Sequence, residues 1–113
     1  MEDTVTDYHD YLIEGVRSGP RQELGFLVRT PMGTPFAWLR FSAISNYSAV
    51  QVWRQDNERE IEATNAGKML IRIEKCECKP LNSRECQYSI ALHYVDDLSF
   101  QSRKVQELEY SSW

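Results

Sequence analysis

The segment at residues 68–95 constrains the fold more than any other part of the chain, because apolar and polar side chains alternate along two long runs. A Pro-Leu-Asn-Ser sequence at residues 80–83 separates the runs and is typical of a turn. The segment contains all three cysteines of the chain, Cys76, Cys78 and Cys86, and one of its two histidines. The pattern predicts two paired strands, and therefore a fold built on an antiparallel sheet.

The apolar faces of the two strands coincide fully only if the first strand contains one extra residue. In the regular pairing that places Ile73 opposite Ile90, Glu77 lies opposite Cys86, and the other two cysteines point away from that face. A shift of one residue moves every following side chain to the opposite face. We therefore predict a β-bulge near residues 74–75, which places all three thiols on one apolar face.

The N-terminal segment has the apolar spacing of a helix. Within residues 5–17, apolar side chains recur at steps of three and four, acids crowd the start, and Gly19-Pro20 follows as a stop signal. We therefore predict an N-terminal helix over residues 5–17.

Residues 24–30 and 36–44 are rich in apolar and aromatic side chains and predict strands, the second of them covered on both faces.

Residues 50–63 have the pattern of a hairpin. Val50 and Val52 alternate with other side chains, and Asp56-Asn57 can form a two-residue turn because both residues tolerate positive φ. In this hairpin Trp53 lies on the face opposite the valines, among Gln51, Glu60 and Glu62. It is either exposed as part of a protein-binding patch or covered by the N-terminal helix or the tail.

These elements predict an α+β fold in a single domain that covers residues 1–113. The N-terminal helix packs on a twisted antiparallel sheet of five or six strands, and the sheet can curl into a half-barrel.

The charge balance narrows the classes of partner. The net charge is −4 and the pI is about 5.2, which disfavours binding to nucleic acid, since such binding normally requires a basic excess. No apolar run approaches the roughly 18 residues that a membrane span needs. The first residues are acidic and lack the apolar core of a signal peptide, so we expect a cytoplasmic protein without membrane contact.

The three cysteines allow three states. They can be buried free thiols, Cys78 and Cys86 can form a disulfide, or Cys76, Cys78 and Cys86 can bind zinc together with a histidine. An odd number of cysteines without a secretory signal favours free thiols. The Cys-x-Cys spacing lacks the tight turn of common zinc sites, and His93 lies on the opposite strand face. We therefore expect neither a metal nor a cofactor.

The sequence favours a binding protein over an enzyme, because it contains neither a hydrolase serine motif nor a glycine-rich phosphate loop. Our first hypothesis is a small non-enzymatic protein that occludes the basic surface of a partner protein, with a homodimer also possible. Immunity proteins and phage-encoded inhibitors of bacterial defence have the same small, acidic, motif-free profile. The residues predicted to bind the partner are Trp53, Arg54, Glu60 and Glu62, which lie on the predicted hairpin.

Our second hypothesis is a small-ligand pocket inside the curled sheet, with or without catalytic activity. Such pockets are mostly apolar and contain a few convergent polar groups. Four polar residues interrupt apolar strands and are the candidates for ligand binding: Arg40, Arg72, Glu74 and Tyr88.

Overall fold

In the computed structural model, which describes residues 5, 6 and 8–112, the chain forms an antiparallel sheet and two α-helices. The predicted α+β class and the antiparallel sheet are therefore confirmed. The strands are β1 (Val5–Thr6), β2 (Leu12–Gly19), β3 (Glu23–Arg29), β4 (Pro35–Phe41), β5 (Ile71–Pro80), β6 (Glu85–His93), β7 (Leu98–Arg103) and β8 (Gln106–Leu108). The helices are α1 (Tyr47–Asp56), α2 (Glu58–Asn65) and a short 3-10 helix, η1 (Tyr110–Ser112).

The order of the strands requires the sheet to curl. Seven strands follow the path β7-β6-β5-β2-β3-β4-β8, and β1 pairs with β5 beside this path, so the sheet exceeds the predicted five or six strands. Strands β7 and β8 occupy opposite ends of the path, yet only Lys104 and Val105 join them. That link spans at most about 11 Å, which forces the two edges of the sheet together. The backbone N–H of Arg103 donates to the carbonyl oxygen of Ser42 at 3.0 Å, although the ladder of described strands does not close.

Aromatic side chains inside the curl pack the two halves of the sheet against each other. The ring of Phe41 on β4 meets Tyr88 on β6 at a centroid distance of 4.9 Å and Phe100 on β7 at 5.0 Å, both edge to face. Phe26 on β3 joins the same cluster through Phe41 at 6.0 Å. Because β4 and β7 lie near opposite ends of the strand path, these contacts exist only in a curled sheet.

The predicted bulge in β5 is confirmed. Ile73 pairs with Leu92 and Lys75 pairs with Ala91, so Glu74 is the extra residue. Beyond the bulge Cys76 lies opposite Ile90, on the interior face. The predicted pairing of Ile73 with Ile90 is wrong by two residues, because the turn after β5 is longer than the regular register assumed.

The prediction of an N-terminal helix over residues 5–17 is wrong, since the described part of this segment contains β1 and most of β2; residue 7 lies outside the described residues. Strand β2 has a register shift between Ile13 and Gly15 in its pairing with β3. This irregularity puts Ile13 and Val16 on the same buried face, three residues apart. A bulged strand therefore reproduces the spacing of a helix.

The prediction of a hairpin over residues 50–63 is also wrong, because these residues form α1 and α2. Val52, which the predicted hairpin places on one face with Val50, is 55% exposed. The side chains that do enter the core recur at steps of three and four, which is the period of a helix. These buried residues are Val50, Trp53, Asn57, Ile61 and Thr64.

Trp53 lies inside the protein, so the alternative in which it is exposed as part of a binding patch is wrong. It is only 6% exposed, and its indole Nε1–H donates to the carbonyl oxygen of Asp96 at 2.7 Å. Its ring meets Phe26 edge-on at 6.4 Å. Asn57 completes the junction: its Nδ2 donates to the carbonyl of Trp53 at 2.8 Å, and its Oδ1 accepts from the N–H of Asp96 at 3.1 Å. The helical period turns the indole inward and locks α1 to the β6–β7 loop.

Helix α2 packs on β2 beyond the point where β2 and β5 separate, and α1 packs on β7. Strand β5 pairs with β2 only at Leu12 and Ile13, which leaves later N–H groups of β2 without a strand partner. The N–H of Val16 instead donates to Oδ1 of Asn65 at 2.9 Å, at the end of α2, and Arg54 donates to Oγ of Ser18. No helix among the described residues is long and apolar enough to cross a membrane.

Replacing Trp53 with alanine should lower the free energy of unfolding by about 3–5 kcal/mol, because the change removes a buried ring and the hydrogen bond to Asp96. Urea unfolding followed by circular dichroism measures this loss. Val52→Ala on the same helix is the matched control and should stay within about 0.5 kcal/mol of the wild type, since Val52 is exposed. Equal stability of the two variants would contradict the buried position of Trp53.

Candidate functional site

A cavity opens at the end of the curled sheet where the β5–β6 turn approaches the β7–β8 link. Its volume is about 220 Å³, and most of its wall is apolar. We call it the cysteine-lined cavity, because all three thiols of the chain contribute to it. It is lined by Tyr8, Cys76, Cys78, Pro80, Cys86, Tyr88, Lys104 and Val105.

The bulge at Glu74 and the β5–β6 pairing bring the thiols together. Cys78 lies opposite Tyr88 and Cys86 lies opposite Pro80, so the side chains of all four residues meet on the interior face. In the turn that joins the strands, Oδ1 of Asn82 accepts from two backbone N–H groups at 2.8 and 2.9 Å. This side-chain-capped turn keeps the two strands in register up to the mouth of the cavity.

The hydroxyl of Tyr88 is the fixed polar group of the wall. Its Oη accepts from the backbone N–H of Val105 at 2.8 Å, which ties β6 to the β7–β8 link. Burial raises the pKa of the Tyr88 phenol far above its ordinary value, and the hydrogen bond with Cys78 raises it further. Tyr88 therefore remains a neutral hydroxyl that can donate a hydrogen bond across the physiological pH range.

The three cysteines are free thiols with different access to solvent. Cys76 and Cys86 are buried, at 3% and 0% exposed, whereas Cys78 is half-buried. Burial raises the pKa of the Cys86 thiol, and its hydrogen bond with Cys78 acts in the same direction. Because the thiolate is the reactive form, Cys86 is a poor nucleophile at neutral pH. Cys78 is the thiol that a reagent or a ligand in the cavity can reach.

The three cysteines share the cavity, but neither His9 nor His93 joins them. No group of three or more histidine, cysteine or acidic side chains in the described part of the chain has the arrangement of a metal site. His93 is exposed, 3.6 Å from Glu74 on the outer face of the sheet. His9 is also exposed and lies 3.3 Å from Asp10.

Of the four residues predicted to bind a ligand, only Tyr88 lines the cysteine-lined cavity. Nη2 of Arg40 instead lies 2.9 Å from the buried carboxylate of Glu23. Arg72 and Glu74 form a loose outer pair at 3.5 Å. The predicted set therefore does not converge, because three of its members lie outside the cavity wall.

The residues predicted to bind a partner are dispersed over the helices. Arg54 and Glu62 share a shallow groove of about 290 Å³ between α1 and α2, which Glu58 also lines. Glu60 is half-buried and lies outside the lining of this groove, and Trp53 is in the core. The structure thus brings together two of the four residues.

Sequence reasoning missed the contribution of the β7–β8 link to the cavity. Lys104 and Val105 reach the thiols only because the curl of the sheet brings the end of β7 beside the start of β8. No local pattern in the sequence reports this contact.

Comparisons with known proteins give no match. The chain matches no protein-family model, and neither a curated protein nor a solved structure matches it. The chemistry of the cavity therefore rests on the residues described above.

Treatment of the native protein with iodoacetamide should modify Cys78 first. We expect Cys76 and Cys86 to react more slowly by on the order of tenfold or more, because burial denies access to the reagent and, at Cys86, disfavours the thiolate. Peptide mapping by mass spectrometry identifies the modified residue at each time. In the control variant Cys78→Ser the fast reaction should be absent. A Cys86 that reacts as fast as Cys78 in the folded protein would contradict the geometry of the cavity.

Proposed function

We propose that this protein binds a small, largely apolar ligand in the cysteine-lined cavity. One observation carries the proposal: the β5–β6 hairpin and the β7–β8 link converge on an open volume with an apolar wall and few polar groups. Ligand sites in proteins have this composition. The described residues of the wall include neither a histidine nor a carboxylate, which supports binding more than general acid–base catalysis. Free thiols also support a reducing compartment such as the cytoplasm.

The size of the cavity limits the ligand. A volume of about 220 Å³ is below the range of roughly 300–1,000 Å³ that is typical of sites for drug-sized molecules. The ligand should therefore be a short chain or a single ring. Each methylene that it buries contributes about 0.8 kcal/mol, so a chain of about six methylenes gains about 5 kcal/mol before the losses of association are subtracted. A gain of about 5 kcal/mol corresponds to a dissociation constant of about 0.2 mM, so after these losses the affinity should be about 0.2 mM or weaker.

A neutral alkanol such as 1-hexanol should raise the melting temperature of the wild type. At ten times its dissociation constant the ligand stabilises the native state by about 1.4 kcal/mol, which is a shift of several degrees for a chain of this size. Val105→Trp should abolish the shift, because the larger side chain fills the mouth of the cavity. Val52→Trp, an exposed substitution on α1, is the matched control and should keep it. If no alkanol or alkanoate raises the melting temperature of the wild type more than that of Val105→Trp, the proposal is wrong.

A second candidate function is the occlusion of a basic partner surface. The observation that favours it is the groove between α1 and α2, where Glu58 and Glu62 are exposed beside Arg54. This acidic face lies on α1 and α2 and not on a hairpin. Trp53 is buried beneath it, so it holds α1 in place and does not contact the partner. Electrostatic complementarity of this kind steers association with cationic surfaces.

Replacing acidic residues of this groove with lysine tests the second candidate function. A partner captured from the native host by the wild type should be lost by the double variant Glu58→Lys, Glu62→Lys. Glu109→Lys, an exposed acid on another part of the chain, serves as the control and should still capture it. Mass spectrometry of the captured material provides the comparison. Equal capture by all three proteins would remove this candidate.

A further inference from the structure

We infer that the ligand of the cysteine-lined cavity is an amphiphile with an apolar chain and a single anionic headgroup, of which an alkanoate is the simplest example. The inference rests on the proposed ligand-binding function and names the chemical class of the ligand. The cavity supplies the site for the chain, and a cluster of cations at its mouth supplies the site for the headgroup.

Basic residues are concentrated at this end of the sheet, although the net charge of the chain is negative. The net charge is −4, yet four basic residues occupy the ends of β5 and β7 and the segments that follow them. None of the four has an ion-pair partner within the described part of the chain. Arg84, Arg103 and Lys104 line one groove, and we call these three the basic rim. Lys79 lies on the outer face of β5, with Lys75 and Glu77, and is not part of it.

The pairing of β6 with β7 holds the basic rim together. Glu85 lies opposite Arg103, so the turn that contains Arg84 and the link that contains Lys104 leave the sheet side by side. The carboxylate of Glu85 is near these cations, but its Oε1 accepts from Nδ2 of Asn82 at 3.1 Å, within its own turn. A second acid, Glu107, lies near the same segment, where its carboxylate accepts from the hydroxyl of Tyr8. The three cations of the basic rim outnumber these two acids.

The basic rim and the cysteine-lined cavity adjoin each other. A surface groove of about 400 Å³ is lined by Ser83, Arg84, Arg103, Lys104, Val105 and Gln106. Lys104 and Val105 line both this groove and the cavity. An apolar chain beside Cys78 and Val105 would therefore leave its headgroup at the ammonium of Lys104, within the field of the two arginines. Arginine and lysine are the side chains that bind carboxylates and phosphates.

Two independent signatures should follow from this arrangement. Affinity should rise about fourfold with each added methylene until the chain fills the cavity, since each buried methylene contributes a fixed free energy. At equal chain length an alkanoate should bind roughly five- to tenfold more tightly than an alkanol at low ionic strength, because several exposed cations each contribute modestly. This advantage should shrink at high salt, where exposed charges are screened.

Isothermal titration calorimetry can test both signatures with n-alkanoates from butanoate to dodecanoate and with the alkanols and alkyltrimethylammonium ions of equal length. In the double variant Arg84→Gln, Lys104→Gln the alkanoate should lose its advantage, while the dependence on chain length remains. The control is the double variant Arg59→Gln, Lys68→Gln, which removes two exposed cations on α2 and the turn after it and should behave as the wild type.

The outcomes separate this inference from the function on which it rests. If alkanols or alkylammonium ions bind as tightly as alkanoates, or if the control variant loses as much alkanoate affinity as the rim variant, the anionic headgroup is wrong and the cavity remains a ligand site. If no series shows a dependence on chain length, the proposed function itself is wrong. If an alkyl phosphate binds more tightly than the alkanoate of equal length, by more than its extra negative charge explains, the carboxylate is not the preferred headgroup.

Discussion

The β-bulge at Glu74 is the constraint on which the rest of the structure depends. Ile71 and Ile73 point inward before it, and Cys76 and Cys78 point inward after it, because the extra residue changes the alternation of the strand. In a regular strand the interior positions after Ile73 would be taken by Lys75, Glu77 and Lys79. Burial of three charged side chains without partners would cost far more than a protein of this size can tolerate. The bulge therefore makes a continuous interior possible, and it creates the thiol face of the cavity.

The curl of the sheet converts this interior face into a cavity. The two-residue link between β7 and β8 brings the edges of the sheet together, and the Phe41 contacts with Tyr88 and Phe100 fill the space between them. Helix α2 covers β2 where β2 separates from β5, and Trp53 is the buried anchor of α1. The end beside the cysteines contains no comparable plug among the described residues, and there Tyr88 and Val105 frame an opening. Rigid packing on one side and an open end on the other are the general design of small ligand-binding sheets.

How far the sequence predicts this structure depends on whether a local pattern has one physical cause. The alternation of apolar and polar side chains in β5 and β6 has a single cause, a strand with one buried face. It therefore predicts both strands, the bulge and the shared face of the cysteines. The three-residue step from Ile13 to Val16 has two causes, a helix or a bulged strand, and the helix is the wrong choice here. Val50 and Val52 alternate by chance, whereas Trp53, Asn57 and Ile61 carry the true helical period. Tyr88 could be predicted as a candidate ligand-binding residue because it interrupts an apolar strand, and it lines the cavity. Lys104 could not be predicted, because only the long-range curl brings it to the cavity.

The register of β5 and β6 on the two sides of Glu74 is the most direct test of this account. Cross-strand nuclear Overhauser effects in the labelled protein should join Ile73 to Leu92 on one side of the bulge and Cys76 to Ile90 on the other. The sum of the paired residue numbers then changes by one between the two sides. A sum that stays constant along the whole hairpin would mean that the strand is regular, and it would contradict both the interior thiol face and the cavity that this face lines.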